Sequence, residues 1–225
     1  MDGPASDPGV AIRSPAGRCI LVATVLGSGM AFLDGTVVNV ALPRIGEDLG
    51  AGLTGLQWTV NAYALTLAGL LLLGGALGDR MGRRRVFVAG VAGFALASLL
   101  CAVAPTEAVL VAARALQGVG AAMLTPTSLA ILEASFRRED RGAAIGAWAG
   151  LTGVATAVGP LLGGWLVGAV SWRLVFLINL PIALAVCRLA MRHVPETRGE
   201  PPAGGRDVAG AALAAAGLAG VTLGL

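Results

Sequence analysis

Six stretches of this 225-residue chain are each long and apolar enough to cross a lipid bilayer, which leaves few folds open. A hydrocarbon core about 30 Å thick asks for about 20 apolar residues in a helix. Inside it every backbone N–H and C=O must find a partner within the protein, so a span is either a helix or a strand of a closed barrel. The runs cover 19–42, 56–77, 86–104, 108–132, 142–170 and 173–191, each at least 19 residues long. A barrel strand needs only about 10 residues, so helices are predicted throughout. A further run starts near Val208 and continues to Leu225, and reads as the start of a seventh helix. Composition agrees: 56% of residues are hydrophobic, 13% are charged, and mean hydropathy is +0.81. Too little charge is present to cover a soluble domain of this size, and the predicted class is an all-α membrane protein.

Arginine placement predicts the orientation, since cytoplasmic loops of membrane proteins collect positive charge. All sixteen basic residues are arginines, and thirteen of them fall on one side of the expected spans. Only Arg44 and Arg173 lie on the other side, and Arg114 lies within a span. The expected plan is a cytoplasmic tail over 1–18, a six-helix bundle over 19–191, a cytoplasmic loop over 192–207 and the opening of the seventh helix over 208–225. The first apolar run is too long for a signal peptide and lacks a clean cleavage site. The net charge of +3 belongs to these loops rather than to a nucleic-acid surface. Cys19, Cys101, Cys187 and the single His193 are too scattered to ligate a metal or to form a disulfide framework. No lysine is present for a phosphate loop, so no catalytic residue, metal or cofactor is expected.

A shift of 89 residues lays 72-LLGGALGDRMGRRRVF-87 over 161-LLGGWLVGAVSWRLVF-176, with eight of sixteen positions identical. The same shift carries span 1 onto span 4, span 2 onto 5 and span 3 onto 6. Three spans per unit is an odd number, so the second unit enters the membrane upside down. Inverted repeats of this kind place a binding site at their interface near mid-membrane.

Asp34, in 30-MAFLDGTVVNVALP-43, is an acid inside lipid-soluble sequence. Such a group costs roughly 2.5–3.5 kcal/mol at the bilayer centre on insertion scales. At 1.5 Å per residue Asp34 falls roughly 21 Å from the inner face, and Arg114 on span 4 falls at about the same depth. The two deep charges therefore lie level on helices related by the repeat. A structural ion pair would satisfy this pattern. A water-filled cavity in which the pair handles protons or charged substrate would satisfy it too, and intramembrane ionisable residues mark such pathways. Burial favours the neutral acid and a nearby guanidinium favours the anion, so a carboxyl in this setting can titrate as its surroundings change. Gln117, three residues after Arg114, shares its helical face and can hold the carboxylate or a substrate. Met30, one turn from Asp34, reads as packing. Trp172 at the outer boundary reads as a headgroup anchor. Asn61, Tyr63 and Trp58 on the outer half of span 2 are candidates for the cavity.

These residues also fall into ordered motifs. They are 33-LDGTVVNVALP-43, the loop pattern Gly75, Leu77, Asp79, Arg80, Gly82, Arg83 and Arg84, then Arg114, Gln117, Gly118 and Gly120, then 159-GPLLGG-164 and 172-WRLVFLINLP-181. In this the chain resembles the N-terminal half of a major facilitator superfamily transporter, most closely the multidrug–proton antiporter branch with fourteen spans. The resemblance covers nearly the whole chain and departs at Ala155, where the antiporter motif often has glycine. It implies a six-helix bundle of two inverted three-helix repeats, with Asp34, Arg114 and Gln117 coupling protons to substrate. It implies that the loop of Gly75, Asp79, Arg80, Gly82, Arg83 and Arg84 latches the cytoplasmic gate against a second half. Gly82 would permit the tight turn, and Asp79 would seek Arg80, Arg83 or another helix N-terminus. Gly150, Gly159, Pro160, Gly163 and Gly164 would form a closely packed, bent helix sliding on that second half.

The expectation is a multi-pass protein of the bacterial plasma membrane with a cytoplasmic amino terminus. Its partners would be lipid, protons, a small-molecule substrate and the missing C-terminal half, with no nucleic acid. It would export small lipophilic compounds, drugs or antibiotics, in exchange for protons. The alternatives are a facilitator-fold exporter of a metabolite, sugar or siderophore, a non-functional truncated half-transporter, and a seven-helix receptor or scaffold.

Overall fold

The computed structural model describes residues 9–199 and Gly217. The helix expected over 208–225 lies, Gly217 apart, outside these residues, as does the far end of the loop expected over 192–207. The described chain folds as α1 (Pro15–Leu49), α2 (Leu53–Met81), α3 (Arg83–Ala102), α4 (Glu107–Ser135), α5 (Arg138–Ala169), α6 (Leu174–Leu177) and α7 (Asn179–His193). Its extended structure is one isolated bridge between Val10 and Phe136. Six segments, with α6 and α7 counted together, are long and apolar enough to span a membrane.

The helices overrun the expected spans. At 35 residues α1 is about 52 Å long, well beyond a hydrocarbon core of about 30 Å. It begins at Pro15, inside the tail expected over 1–18. Ser14 caps it, accepting the Gly17 N–H at 3.0 Å, and Pro15 opens its first turn without a wasted donor. Hydropathy marks where lipid lies and not where helical hydrogen bonding ends. The sixth span, expected to be continuous, is interrupted at Ile178 between α6 and α7. Pro181 explains this: it has no N–H to offer the Leu177 carbonyl one turn earlier.

The repeat is visible in which helices meet. The most extensive packing of α4 is on α2 and α3, while α1 packs most on α5 and then α7. Under the sequence shift α1 corresponds to α4 and α2 to α5, so each second helix has crossed to pack on the first helix of the other unit. Glycines set these approaches. A side chain at Gly74 would strike the Ala122 carbonyl, one at Gly118 would strike Thr66 on α2, and one at Gly120 would meet the α3 backbone at Phe94 within 2.6 Å. A proline frees a carbonyl at the α1–α5 crossing. Pro160 leaves the Thr156 carbonyl without its helical donor, and the Thr36 hydroxyl of α1 takes it at 3.3 Å.

Two apolar clusters fill the bundle. One gathers Ile20, Phe87, Phe94, Leu124, Leu132 and Val186, and the other gathers Val37, Ile45, Leu110, Val175 and Phe176. Along α1, α3, α4 and the α6–α7 segment the chain passes from one cluster to the other through a polar residue: Asp34, Ser98, Arg114 with Gln117, and Asn179. A polar layer therefore lies between two apolar ones.

Gly120→Val should lower stability by about 1–3 kcal/mol, the range for overpacking a tight contact, and reduce recovery of monodisperse protein. Gly93→Ala on α3, where no atom lies within 4 Å of the added carbon, should not lower the melting temperature in detergent.

Candidate functional site

Asp34 is completely buried, and Arg114 is 1% exposed. They form an ion pair through Arg114 Nη1 and Asp34 Oδ2. Arg114 Nη1 also donates to Gln117 Oε1 at 2.7 Å, and Nε donates to the Thr59 carbonyl at 3.1 Å. The guanidinium lies 4.3 Å from the centre of the Tyr63 ring and 5.9 Å from that of Phe176, so aromatic faces replace part of its lost hydration. The Tyr63 hydroxyl donates to the Ala31 carbonyl at 2.9 Å, fixing its ring against α1.

The other carboxylate oxygen is held by amides. Gln117 Nε2 donates to Asp34 Oδ1 at 2.9 Å and Asn179 Nδ2 donates to it at 3.1 Å. Both amides also donate to Ser98 Oγ, at 3.1 and 2.9 Å, and that hydroxyl donates to the Phe176 carbonyl at 3.0 Å. The Cys101 thiol points to Gln117 Oε1 at 3.6 Å. Three donors therefore converge on one carboxylate, from α4 and α7, in a medium where an unpaired charge is very costly.

The three residues expected to act together are thus in direct contact, and Tyr63 joins them. Asn61, two residues earlier, is exposed and makes none of these contacts. The expected water-filled cavity around the pair is corrected: protein covers both charges completely. A groove of about 550 Å³ lies between α2 and α4, lined by Trp58, Ala62, Leu65, Thr66, Glu107, Val111 and Ala115. Ser98, Asn179, Thr59 and Cys101 were missed in the sequence. Asn179 stood in the quoted motif WRLVFLINLP without a role, and an isolated serine in an apolar run gives little signal.

At the arginine-rich end Asp79 pairs with Arg83 at 2.8 Å, and Arg83 Nη1 donates to the Ala130 carbonyl of α4 at 3.1 Å. Gly82 turns the chain at φ +112, a conformation L side chains rarely adopt. A methyl group placed on Gly75 would lie 3.6 Å from Pro126 of α4, and Arg80 is exposed. The loop is clasped from within the chain by the segment after α7. Glu196 accepts the Arg84 N–H at 3.1 Å and lies 3.6 Å from the Arg84 and Arg85 side chains. The Arg83 N–H donates to the Thr197 carbonyl at 2.9 Å, and the Gly199 N–H donates to the Asp79 carbonyl at 3.1 Å. The amino-terminal segment clasps the α4–α5 junction similarly, with Val10 N–H on the Ser135 carbonyl at 2.8 Å and Ile12 N–H on Asp140 at 3.0 Å.

The glycines of α5 divide between two faces. Gly159 and Gly163 press on Thr36 and Val37 of α1, whereas Gly150 and Gly164 meet no atom within 4 Å. The expectation that the whole motif faces a second half is corrected to that extent, and Pro160 serves the α1 contact through the carbonyl it frees. Trp172 is also corrected. It is 4% exposed, donates from Nε1 to Asp48 Oδ2 at 2.9 Å, and stacks under Arg173, which pairs with the same carboxylate. It pins the α5–α6 turn to α1 instead of anchoring in headgroups.

Fold and site define a multi-pass helical membrane protein built around a buried charge pair. The sequence matches the Major Facilitator Superfamily over residues 24–223, and the chain belongs to that family. It is 43% identical over 188 residues to the methylenomycin A resistance protein of Bacillus subtilis, covering 83% of this chain and 40% of that protein. It is 43% identical over 224 residues to a "Probable actinorhodin transporter" of Streptomyces coelicolor, covering 96% and 38%. It is 43% identical over 202 residues to a puromycin resistance protein of Streptomyces alboniger, covering 89% and 40%. The chain therefore spans about two-fifths of the length of these relatives. Among solved structures, a bacterial homologue of the human lysosomal transporter Spinster, inward-facing and unoccupied, shares the fold with a TM-score of 0.67 at 22% identity, over 87% of this chain and 47% of that one. The family is one of transporters rather than enzymes.

Arg114→Met, which strands a buried carboxylate, should cost about 3–5 kcal/mol, and adding Asp34→Asn should recover part of it. Thermal unfolding of the single and double variants in detergent measures the coupling. Glu196→Gln should speed hydrogen exchange at the Arg84 amide and leave exchange in the middle of α1 unchanged.

Proposed function

We propose that this chain forms the N-terminal part of a secondary active transporter that exports small lipophilic compounds in exchange for protons. The observation that carries the reading is the buried Asp34–Arg114 pair joining α1 to α4, in a chain whose relatives are named for antibiotic resistance and export. In this reading Asp34 is the proton carrier. As an anion it ties α1 to α4 through Arg114 and Gln117. A proton arriving from water cancels that charge and leaves Arg114 with the Thr59 carbonyl, Gln117 and the Tyr63 ring, so the tie between the two repeat units weakens. A compound in the apolar groove between α2 and α4 favours the charged, tightly tied state. By linkage the proton and the compound then lower each other's affinity. Where transport moves net charge, the membrane potential adds about 2.3 kcal/mol per charge per 100 mV.

The arginine distribution supports a cytoplasmic amino terminus, and the relatives support a bacterial plasma membrane. The loop of Gly75, Asp79, Arg80, Gly82, Arg83 and Arg84 would latch the cytoplasmic side against the remaining part of the transporter. The open faces of α2 and α5, including Gly150 and Gly164, would mate with that part. Only 17% and 11% of their most apolar windows are buried, against 50–56% for α1, α3 and α4.

The test is Asp34→Asn in the intact protein, assayed in everted vesicles with an imposed pH gradient and a fluorescent lipophilic substrate. The variant should lose gradient-driven accumulation. Wild-type accumulation in the variant would remove the proton role, and a wild type that moves a sugar or metabolite but no lipophilic compound would favour the metabolite reading.

A further inference from the structure

The Asp34 carboxylate meets donors only, and a protonated Asp34 would need the opposite. Its new O–H has to find an acceptor, or a buried hydroxyl is left unsatisfied. The candidates around Oδ1 can be sorted by what they already do. Gln117 Oε1 accepts from Arg114 and from Cys101. The Phe176 carbonyl accepts from Ser98. The side-chain oxygen of Asn179 is buried and has no hydrogen-bond partner. It belongs to the same amide whose nitrogen donates to Asp34 Oδ1 at 3.1 Å and to Ser98 Oγ at 2.9 Å.

A half-turn of that amide exchanges nitrogen for oxygen at nearly the same place. The geometry points to Asn179, with Ser98, as a positioning pair that holds Asp34 both as carboxylate and as carboxylic acid. The amide presents NH₂ to the anion and its carbonyl oxygen to the acid. Ser98 follows without moving its backbone. Its hydroxyl accepts from the amide nitrogen in the first arrangement; in the second its one proton turns from the Phe176 carbonyl to the amide oxygen. The only covalent bond made is the O–H of Asp34; its proton comes from hydronium of the bulk solution, whose O–H breaks to leave water. Asn179 is fully buried and is the first residue of α7, beside the interruption at Ile178. The titratable and charged groups facing Asp34 are Arg114 from α4, Tyr63 from α2 and Cys101 from α3. Among the described residues α5, α6 and α7 bring none, so the α7 side of the acid is governed by this amide.

The inference rests on the proton role proposed for Asp34, and its test separates the two. Proton-driven export by the intact protein is measured against pH for wild type, Asn179→Ala and Asn179→Ser. Removing this unpartnered acceptor destabilises the acid form more than the anion, which keeps Arg114 and Gln117. The midpoint for Asn179→Ala should therefore shift to lower pH, corresponding to a three- to tenfold loss of proton affinity. Asn179→Ser, which retains an oxygen that both donates and accepts, should restore much of the shift. A shift to higher pH would show that Asn179 serves the anion only, and an unchanged midpoint with reduced amplitude would show a structural role; either overturns the inference. Should Asn179→Ala fail to accumulate, infrared difference spectra of the wild type between high and low pH take its place. The carboxylic-acid carbonyl band that disappears in Asp34→Asn should lie at the position of an acid donating a strong hydrogen bond, and a free-acid band would contradict it. Loss of all pH dependence from Asp34 in the wild type would instead overturn the proton role itself.

Discussion

Arg114 can be buried because Asp34 is, and neither charge would be tolerated alone. A guanidinium and a carboxylate each lose most of their hydration here. What replaces it is specific: a mutual ion pair, two amides, one backbone carbonyl and an aromatic face. Replacing the pair with well-packed apolar side chains would often be neutral or stabilising in such a setting. A bundle already held by two apolar clusters has little need of a polar layer for cohesion. The layer makes sense as the place where the bundle's packing depends on charge.

That dependence has a mechanical setting. The pair joins α1 to α4, the first helices of the two repeat units, and Ser98 and Asn179 bring in α3 and α7. The α2 and α5 helices contribute less polar contact and keep open faces. At the arginine-rich end two extended segments clasp the inter-helix junctions, and at the opposite end Trp172 and Arg173 clasp Asp48. The ends are held by contacts near the surface, whereas the centre is held by a buried ion pair and the amides around it. In the proposed exchange, a change of charge at the centre alters how α1 and α4 sit together while the ends stay fastened.

Much of this was legible in the sequence. Spans follow from hydropathy because backbone satisfaction in lipid allows no other long apolar element. The meeting of Asp34, Arg114 and Gln117 follows from depth and helical phase. Other parts were hidden for physical reasons. Asn179 and Ser98 are ordinary polar residues, and only the break at Pro181 and the crossing of α3 turn them toward Asp34. The two-faced character of α5 depends on where α1 lies, which glycine spacing cannot report. Glu196 is an acid in a basic loop, and its grip on Arg84 depends on the chain folding back after α7. The buried state of the pair, where an aqueous cavity was expected, depends on how far the helices close together.

The most direct measurement is a count of protons exchanged when an exported compound binds to the purified intact protein in weakly buffered solution. With Asp34 as the shared group, binding should release protons at pH values where the acid is partly protonated, and Asp34→Asn should bind without releasing any. Binding with no proton change in the wild type, or the same release in Asp34→Asn, would contradict the account.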